Sequence, residues 1–289
     1  MSTRIDTRPT SIPEMAAAGE SGQPRRSTPA LSPSRASDFK QCPLLYRFRA
    51  IDRLEEEPTT AQVRGTLVHA ALENLFDLDA QLRTHDTAID LVDGAWEAIC
   101  VQDPSLRALA GEDVTGFLDS AHALITTYFR MENPQGFDPE SCELHVELDL
   151  DGVALRGFID RLDVAPTGEI RVVDYKTGRS PGPLFEVKAL FQMKFYALAI
   201  WRLRGEVPAR LQLMYLADGQ QLHYTPDVEE LQRFSRTLTA IWSAILEAGR
   251  TGDFRPKRSA MCSYCDHKAL CPEFGGTPPP YPGWPGGQA

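Results

Sequence analysis

What this sequence has little of narrows its function first. No stretch of the 289-residue chain approaches the ~18 consecutive apolar residues of a membrane span. The N-terminus, MSTRIDTRPTSIPEM, is polar and proline-bearing and lacks the apolar core of a secretory signal, so a cytoplasmic protein with no membrane partner is expected. The phosphate loop G-x-x-x-x-G-K-[ST] is also absent, which excludes a P-loop ATPase motor within these residues. Basic residues are outnumbered, 30 against 40 acidic, and a net charge of -10 argues against coating duplex DNA by bulk positive charge. Cysteine is sparse: six residues in a chain of this size without export point to metal or cluster chemistry rather than a disulfide scaffold.

The remaining composition is globular, with 42% hydrophobic residues. Residues 1–30 are rich in Ser, Thr, Pro and Gly without an apolar period and are expected to be disordered. Residues 31–274 are read as one domain, and the tail GGTPPPYPGWPGGQA (275–289) as a loose low-complexity segment. Positive charge gathers in islands at 35–53, 171–194 and 250–268, each with five basic against two acidic residues. Solvated surface is the simple account of one island; three suggest the walls of a groove for an anionic ligand.

Apolar spacings near 3.6 predict helix from Gln62 to about Cys100 and from Gly116 to Met131. At Glu143 the period changes to two, with Leu144, Val146, Leu148 and Leu150 on one face and Glu143, His145, Glu147 and Asp149 on the other. Asp151-Gly152 is a hairpin signal, and VALRGFIDRLDV returns. Pairing Leu150 with Val153 sets Glu147 opposite Arg156 and Glu143 opposite Asp160. The turn Ala165-Pro166-Thr167-Gly168-Glu169 pairs Ala165 with Glu169, hence Asp160 with Asp174. Lys176 shares the face of Asp174, so three strands are expected to gather Glu147, Asp160, Asp174 and Lys176. After Gly178 a helix is predicted with Leu184, Val187, Phe191, Phe195 and Leu198 on one stripe and Lys188, Gln192 and Tyr196 on another. RLQLMYLA reads as a buried strand, Asp218-Gly219 as a turn, and 227–249 as an amphipathic helix. The sum is a mixed α/β domain.

Two carboxylates held together repel unless a cation lies between them. Mg²⁺ and Mn²⁺ prefer such oxygen ligands and leave positions for phosphate and water, and a nearby ammonium stabilises charge developing on a phosphoryl oxygen. A lone Asp-x-Lys would be a solvated ion pair. Here the flanking text is GFIDRLDV and VVDYKTGR, with thirteen residues between Asp160 and Asp174. These segments resemble the active-site core of the PD-(D/E)XK nuclease superfamily, in its RecB-like exonuclease branch. LSPSRASDFKQCPLLYRFR is similar to the branch's N-terminal element, GTLVHAALENLF to its Gly-x-x-x-His helix, FQMKFYALAI to its Gln-x-x-x-Tyr helix, and MCSYCDHKALCP to its C-terminal cysteine cluster. The blocks run in family order over residues 31–273. Ile159 stands before Asp160 where the family name has Pro, a common departure in this branch.

The resemblance implies a restriction-endonuclease-like core: a central mixed sheet flanked by helices, an N-terminal helical part, and a cysteine cluster joining the two ends of the domain. It implies that Asp160 and Asp174 bind metal, that Lys176 is the catalytic lysine, and that the main-chain carbonyl of Tyr175 and the ring of His69 complete the metal site. Gln192 and Tyr196 would lie beside the scissile strand, on the helix stripe that also carries Lys188. Glu147 would match an upstream acidic residue. Taken alone, His69 reads as a core or surface histidine, Gln192 and Tyr196 as a polar helix face, and Glu147 with Arg156 as a cross-strand ion pair.

Cys262, Cys265 and Cys271 form a compact group, and Cys42 lies 220 residues before the first of them. Four thiolates suit zinc or an iron–sulfur cluster, and His267 offers a local zinc site without Cys42. The one-plus-three split resembles iron–sulfur nucleases of the same branch, AddB-type subunits and CRISPR-associated exonucleases, which favours [4Fe–4S]. Cys100 and Cys142 fit no pattern and are read as buried thiols. The resemblance implies a metal-dependent exonuclease of single-stranded DNA ends in repair or recombination, 5′ to 3′ by analogy, with a separate helicase as a companion. Tyr46 and Phe48 are candidates for stacking bases. The rival expectation is a non-catalytic DNA-binding or helicase-accessory module that keeps the fold.

Overall fold

The structure, a computed structural model, describes residues 29–285 apart from residue 112, residues 183–185 and the side chains of 186–188. The segment expected to be disordered, 1–30, thus falls almost wholly outside the described residues. The described chain opens with α1 (Pro33–Gln41), α2 (Pro43–Tyr46) and a wide π-helical turn over Arg47–Asp52. Helices α3 (Thr60–Phe76), α4 (His85–Gln102), α5 (Leu106–Leu109) and α6 (Val114–Met131) follow. The helical region expected from Gln62 to about Cys100 is therefore two helices. Arg83 holds the break: its guanidinium is buried, donates to the carbonyls of Leu78 and Phe137, and pairs with Asp138. Thr84 then caps α4 by accepting from the Thr87 N–H.

Strands β1 (Ser141–Leu150), β2 (Val153–Val164) and β3 (Ile170–Lys176) precede α7 (Glu186–Arg204); β4 (Arg210–Tyr215), β5 (Gln220–Tyr224) and α8 (Val228–Thr251) follow it. The five strands lie in chain order in one sheet. All neighbours are antiparallel except β3 and β4, which run parallel because α7 crosses between them. Both expected registers are present: Glu147 pairs with Arg156, and Ala165 N–H donates to the Glu169 carbonyl at 2.9 Å. The strand β5 was not expected. Its sequence, QQLHY, is a polar edge whose residues are exposed or half-buried, so it carries no apolar signal.

Helices cover both faces of the sheet. Leu162, Val172, Leu211 and Leu213 pack with Phe195 and Leu198 of α7 and Leu231 and Leu238 of α8. Val173, Tyr175, Met214 and Leu216 pack on the other side with Leu67, Leu75, Trp96 and Ile125 of α3, α4 and α6. Adjacent residues such as Val172 and Val173 thus enter opposite cores, as a strand of period two requires. Leu31 bridges β2, its N–H donating to the Ala154 carbonyl at 2.7 Å, which sets the start of α1 beside that strand.

The tail departs from expectation over its described part. Tyr281 Oη donates to the Gly249 carbonyl at 2.7 Å, and Trp284 is buried beside Trp242. A Cβ on Gly249 would lie 2.2 Å from the Trp284 ring, so α8 needs glycine there. Two aromatics anchor what composition presents as a loose Pro/Gly segment. Among the described residues, no helix is long and apolar enough to cross a membrane.

Candidate active site

Strands β2 and β3 pair from Val164 and Ile170 as far as Arg161 and Val173, and there the ladder ends. One residue on, Asp160 Oδ2 accepts the Tyr175 N–H at 2.7 Å. Asp174 is buried beside it, with Oδ2 paired to Lys176 Nζ at 2.7 Å. Its other oxygen, Oδ1, accepts from Gln192 Nε2 at 2.8 Å, while Gln192 Oε1 accepts from Lys176 Nζ at 2.9 Å. Gln192 Nε2 also lies 3.3 Å from Tyr196 Oη, one turn further along α7. Asp160, Asp174, Lys176, Gln192 and Tyr196 therefore meet in one place. Lys188 falls in the first turn of α7, and its side chain lies outside those described.

His69 reaches the same place from α3. Its Nδ1 is 3.6 Å from Asp160 Oδ2 and 3.9 Å from Glu143 Oε1, and the three residues offer ligand atoms within 4.8 Å of one another. Glu143 holds a left-handed backbone, φ 45°, between the continuing pairs Leu144 with Ile159 and Cys142 with Arg161. Such a conformation is costly for a residue with a Cβ, and here it falls inside a strand rather than at a turn or helix cap. Glu147 takes its expected place opposite Arg156. It is exposed, pairs with Arg156 at 3.2 Å, and lies further along β1 toward the hairpin. Period two puts Glu143 and Glu147 on one face, and only Glu143 sits opposite Asp160.

The electrostatics suit a cation. Burial and then repulsion from Asp174 push the Asp160 carboxyl up to about 7. Burial would lower the His69 pKa, but contact with Glu143 and the charges of Asp160 and Asp174 outweigh it and raise the value to about 9. Lys176 behaves likewise: burial lowers its pKa, Asp174 raises it more, and the ammonium persists. Crowded carboxylates with an imidazole form a donor set for a hard divalent ion, which relieves the repulsion. His69, Glu143 and Asp160 converge; Asp174 stands just outside, its oxygens engaged by Lys176 and Gln192.

A cavity of about 690 Å³ opens beside this cluster. Asp160, Gln192 and Tyr196 form one end; Arg35, Arg156 and Phe158 line the rest. Tyr46 and Phe48, the expected stacking aromatics, are each 2% exposed and belong to the core. Tyr46 packs on Phe39 and Phe254, and Phe48 on His267. Of the two aromatics lining the groove among the described residues, Tyr196 is buried and Phe158 is 51% exposed.

The cysteines converge too. Cys42, Cys262, Cys265 and Cys271 line one pocket, and burial together with the three neighbouring sulfurs raises the Cys265 thiol pKa. Main-chain N–H groups of Lys257 and Ser259 donate to the sulfurs of Cys42 and Cys262, each at 3.3 Å. His267 lines the same pocket, but its Nε2 is 2.8 Å from Glu56 Oε1. Cys100 is buried and Cys142 half-buried, both away from the pocket.

Comparison with known proteins agrees with this geometry. The chain is similar to the Gene 69 protein of Mycobacterium phage D29, 26% identical over 271 residues, covering 85% of this chain and 97% of that one. It is similar to the Gene 69 protein of Mycobacterium phage L5, 25% identical over 288 residues with the same coverage. Its fold resembles the crystal structure of a candidate exonuclease from Eubacterium rectale, with a TM-score of 0.56 at 14% identity, over 82% of this chain and 87% of that one. A model of the PD-(D/E)XK nuclease superfamily matches residues 30–272, including the two strands and the helix that carry Asp160, Asp174, Lys176 and Gln192. A mixed sheet between helical layers, acidic residues and a lysine where its strands part, and this match over most of the sequence together establish that the chain belongs to the PD-(D/E)XK nuclease superfamily.

Proposed function

We propose that the protein is a divalent-metal-dependent DNA exonuclease of the RecB-like branch that degrades single-stranded ends during repair or recombination. The observation that carries this reading is the cluster of half-buried Asp160, buried Asp174 and half-buried Lys176 beside a groove walled by arginines. A divalent ion held by His69, Glu143 and Asp160, with Asp174 and the Tyr175 carbonyl as the further ligands of the family pattern, would supply Lewis acidity at the scissile phosphate and acidify a water. Lys176 holds its ammonium where charge develops on a phosphoryl oxygen. Gln192 fixes that ammonium and the Asp174 carboxylate in one orientation through two hydrogen bonds. Tyr196 keeps its phenolic proton, since burial raises its pKa, and remains a donor toward the groove. Arg35 and Arg156 hold the backbone phosphates.

The four-cysteine pocket is proposed to hold a [4Fe–4S] cluster on Cys42, Cys262, Cys265 and Cys271. Such a cluster would staple the first ordered segment to the last, with a chain-entropy contribution on the order of 5 kcal/mol. End-labelled single strands and duplexes, incubated with Mg²⁺, Mn²⁺ or chelator, test the reading. Stepwise, metal-dependent loss of single strands supports it. Full-length strands in every condition would leave only a DNA-binding or helicase-accessory module.

A further inference from the structure

We propose that Phe158 and His145 form a stacking platform for the nucleobase next to the cleaved bond, and so select single-stranded nucleic acid. The proposal rests on the nuclease reading above and deepens it.

The β1–β2 hairpin carries His145 opposite Phe158 and Glu147 opposite Arg156, and the same register brings Glu143 level with Asp160, where the ladder is interrupted. Glu143 and Asp160 are two of the metal-site carboxylates, His145 and Phe158 an aromatic pair, and Glu147 and Arg156 an ion pair of 3.2 Å. Successive positions on a strand face are about 7 Å apart. A strand whose phosphate lies at Asp160 therefore brings its adjacent nucleotide over the aromatic pair and its next phosphate toward Arg156.

Phe158 is 51% exposed on a strand whose other large apolar residues are buried or half-buried. Among the described residues its ring has one aromatic neighbour, His145, at 4.9 Å and 38°. Phe158 also lines the cavity that contains Asp160, Gln192 and Tyr196, so this apolar surface is continuous with the reacting centre. Arg35 and Arg156 line the same cavity, and Arg156 Nε is buried without a hydrogen-bond partner. Apolar ring surface, flanked by cations and adjoining the metal site, matches a base joined to phosphates. The face of a base is free for such a contact only when the base is unpaired, which makes the platform a filter against duplex.

The test uses the full chain with Ca²⁺ in place of a catalytic ion and fluorescein-labelled single strands read by anisotropy. Stacking on one aromatic predicts that Phe158→Ala weakens single-strand binding by about tenfold or more. Phe158→Tyr should restore binding, and affinity for a blunt duplex of equal length should stay unchanged. A single abasic site placed next to the cleaved bond should weaken binding to the parent protein by a similar factor and add nothing in Phe158→Ala. Parental single-strand affinity in Phe158→Ala, or abasic and Phe158→Ala penalties that multiply, would overturn the platform. A parent protein that cleaves DNA while Phe158→Ala matches it in KM removes the platform alone; a parent that neither binds nor cleaves DNA removes the nuclease reading and the platform together.

Discussion

Gln192 donates its side-chain amide to Oδ1 of Asp174 at 2.8 Å, and the same amide's oxygen receives the Lys176 ammonium at 2.9 Å. One residue of α7 thereby sets the distance between two groups on β3, and it does so from a helix locked by packing. Phe195, Leu198 and Ala199 of that helix are buried in the core, so the amide has a rigid support.

Gln192→Ala should therefore slow cleavage about 100-fold while leaving the metal site loaded, since small misplacements of reacting groups have costs of that order. Single-turnover rates at saturating DNA, with metal content measured on the same samples, check this. A parental rate would mean that Lys176 needs no such support.

The proton balance of the site predicts how it responds to pH. Asp160 is raised from 3.8 to about 7, so its stabilising contribution is complete below 3.8 and is lost as pH rises through 7. His69 is raised from 6.5 to about 9, so its contribution is complete below 6.5 and is lost as pH rises through 9. Asp160 thus weakens the metal-free fold between pH 3.8 and about 7 and His69 between pH 6.5 and about 9, so both losses are complete only above about 9, where a cation takes the place of the protons. Mn²⁺ should raise Tm more at pH 9 than at pH 5. Equal gains at the two values would separate these residues from metal binding.

Arg161 is a stability prediction with no part in the chemistry. It is fully buried, forms two hydrogen bonds to Glu132, pairs with Asp163 at 3.0 Å, and donates to Tyr175 Oη at 2.6 Å. Arg161→Met would leave Glu132 and Asp163 to Arg171 alone and remove the donor to the Tyr175 hydroxyl, and should cost about 3 kcal/mol, read by urea unfolding. A loss below about 1 kcal/mol would mean the cavity readily admits water.

Much of this architecture was legible in the sequence because strand period and turn chemistry are local. Asp151-Gly152 and the 165–169 turn set both registers, and those registers alone put Asp160 beside Asp174. They also put Glu143 level with Asp160, and Glu147 opposite Arg156 one turn of the ladder nearer the hairpin. The strained backbone of Glu143 has no signature in composition. The aromatics misled in two directions. Tyr46 and Phe48 sit in a basic segment that looks exposed, but α2 turns both into the core. Tyr281 and Trp284 sit among Pro and Gly that look loose, but they find partners on α8. In both places tertiary packing overrides a local signal.

The cysteine pocket separates two cofactors. If four thiolates share one cluster, Cys42→Ser should lose iron and its visible absorbance as fully as Cys271→Ser, and His267→Ala should keep both. The zinc arrangement built on His267 forecasts the reverse for Cys42 and His267. Cys100→Ser is the control and should retain the metal. Iron and zinc content after anaerobic purification decides between them.

The most direct test of the central claim is the rate at which the purified Asp174→Ala protein degrades an end-labelled single strand in Mn²⁺, beside the parent and with folding verified by circular dichroism. Asp174 anchors Lys176 and Gln192 and faces Asp160, so its removal is predicted to abolish cleavage while the fold remains. Cleavage by folded Asp174→Ala protein at the parental rate would contradict the assignment of this site.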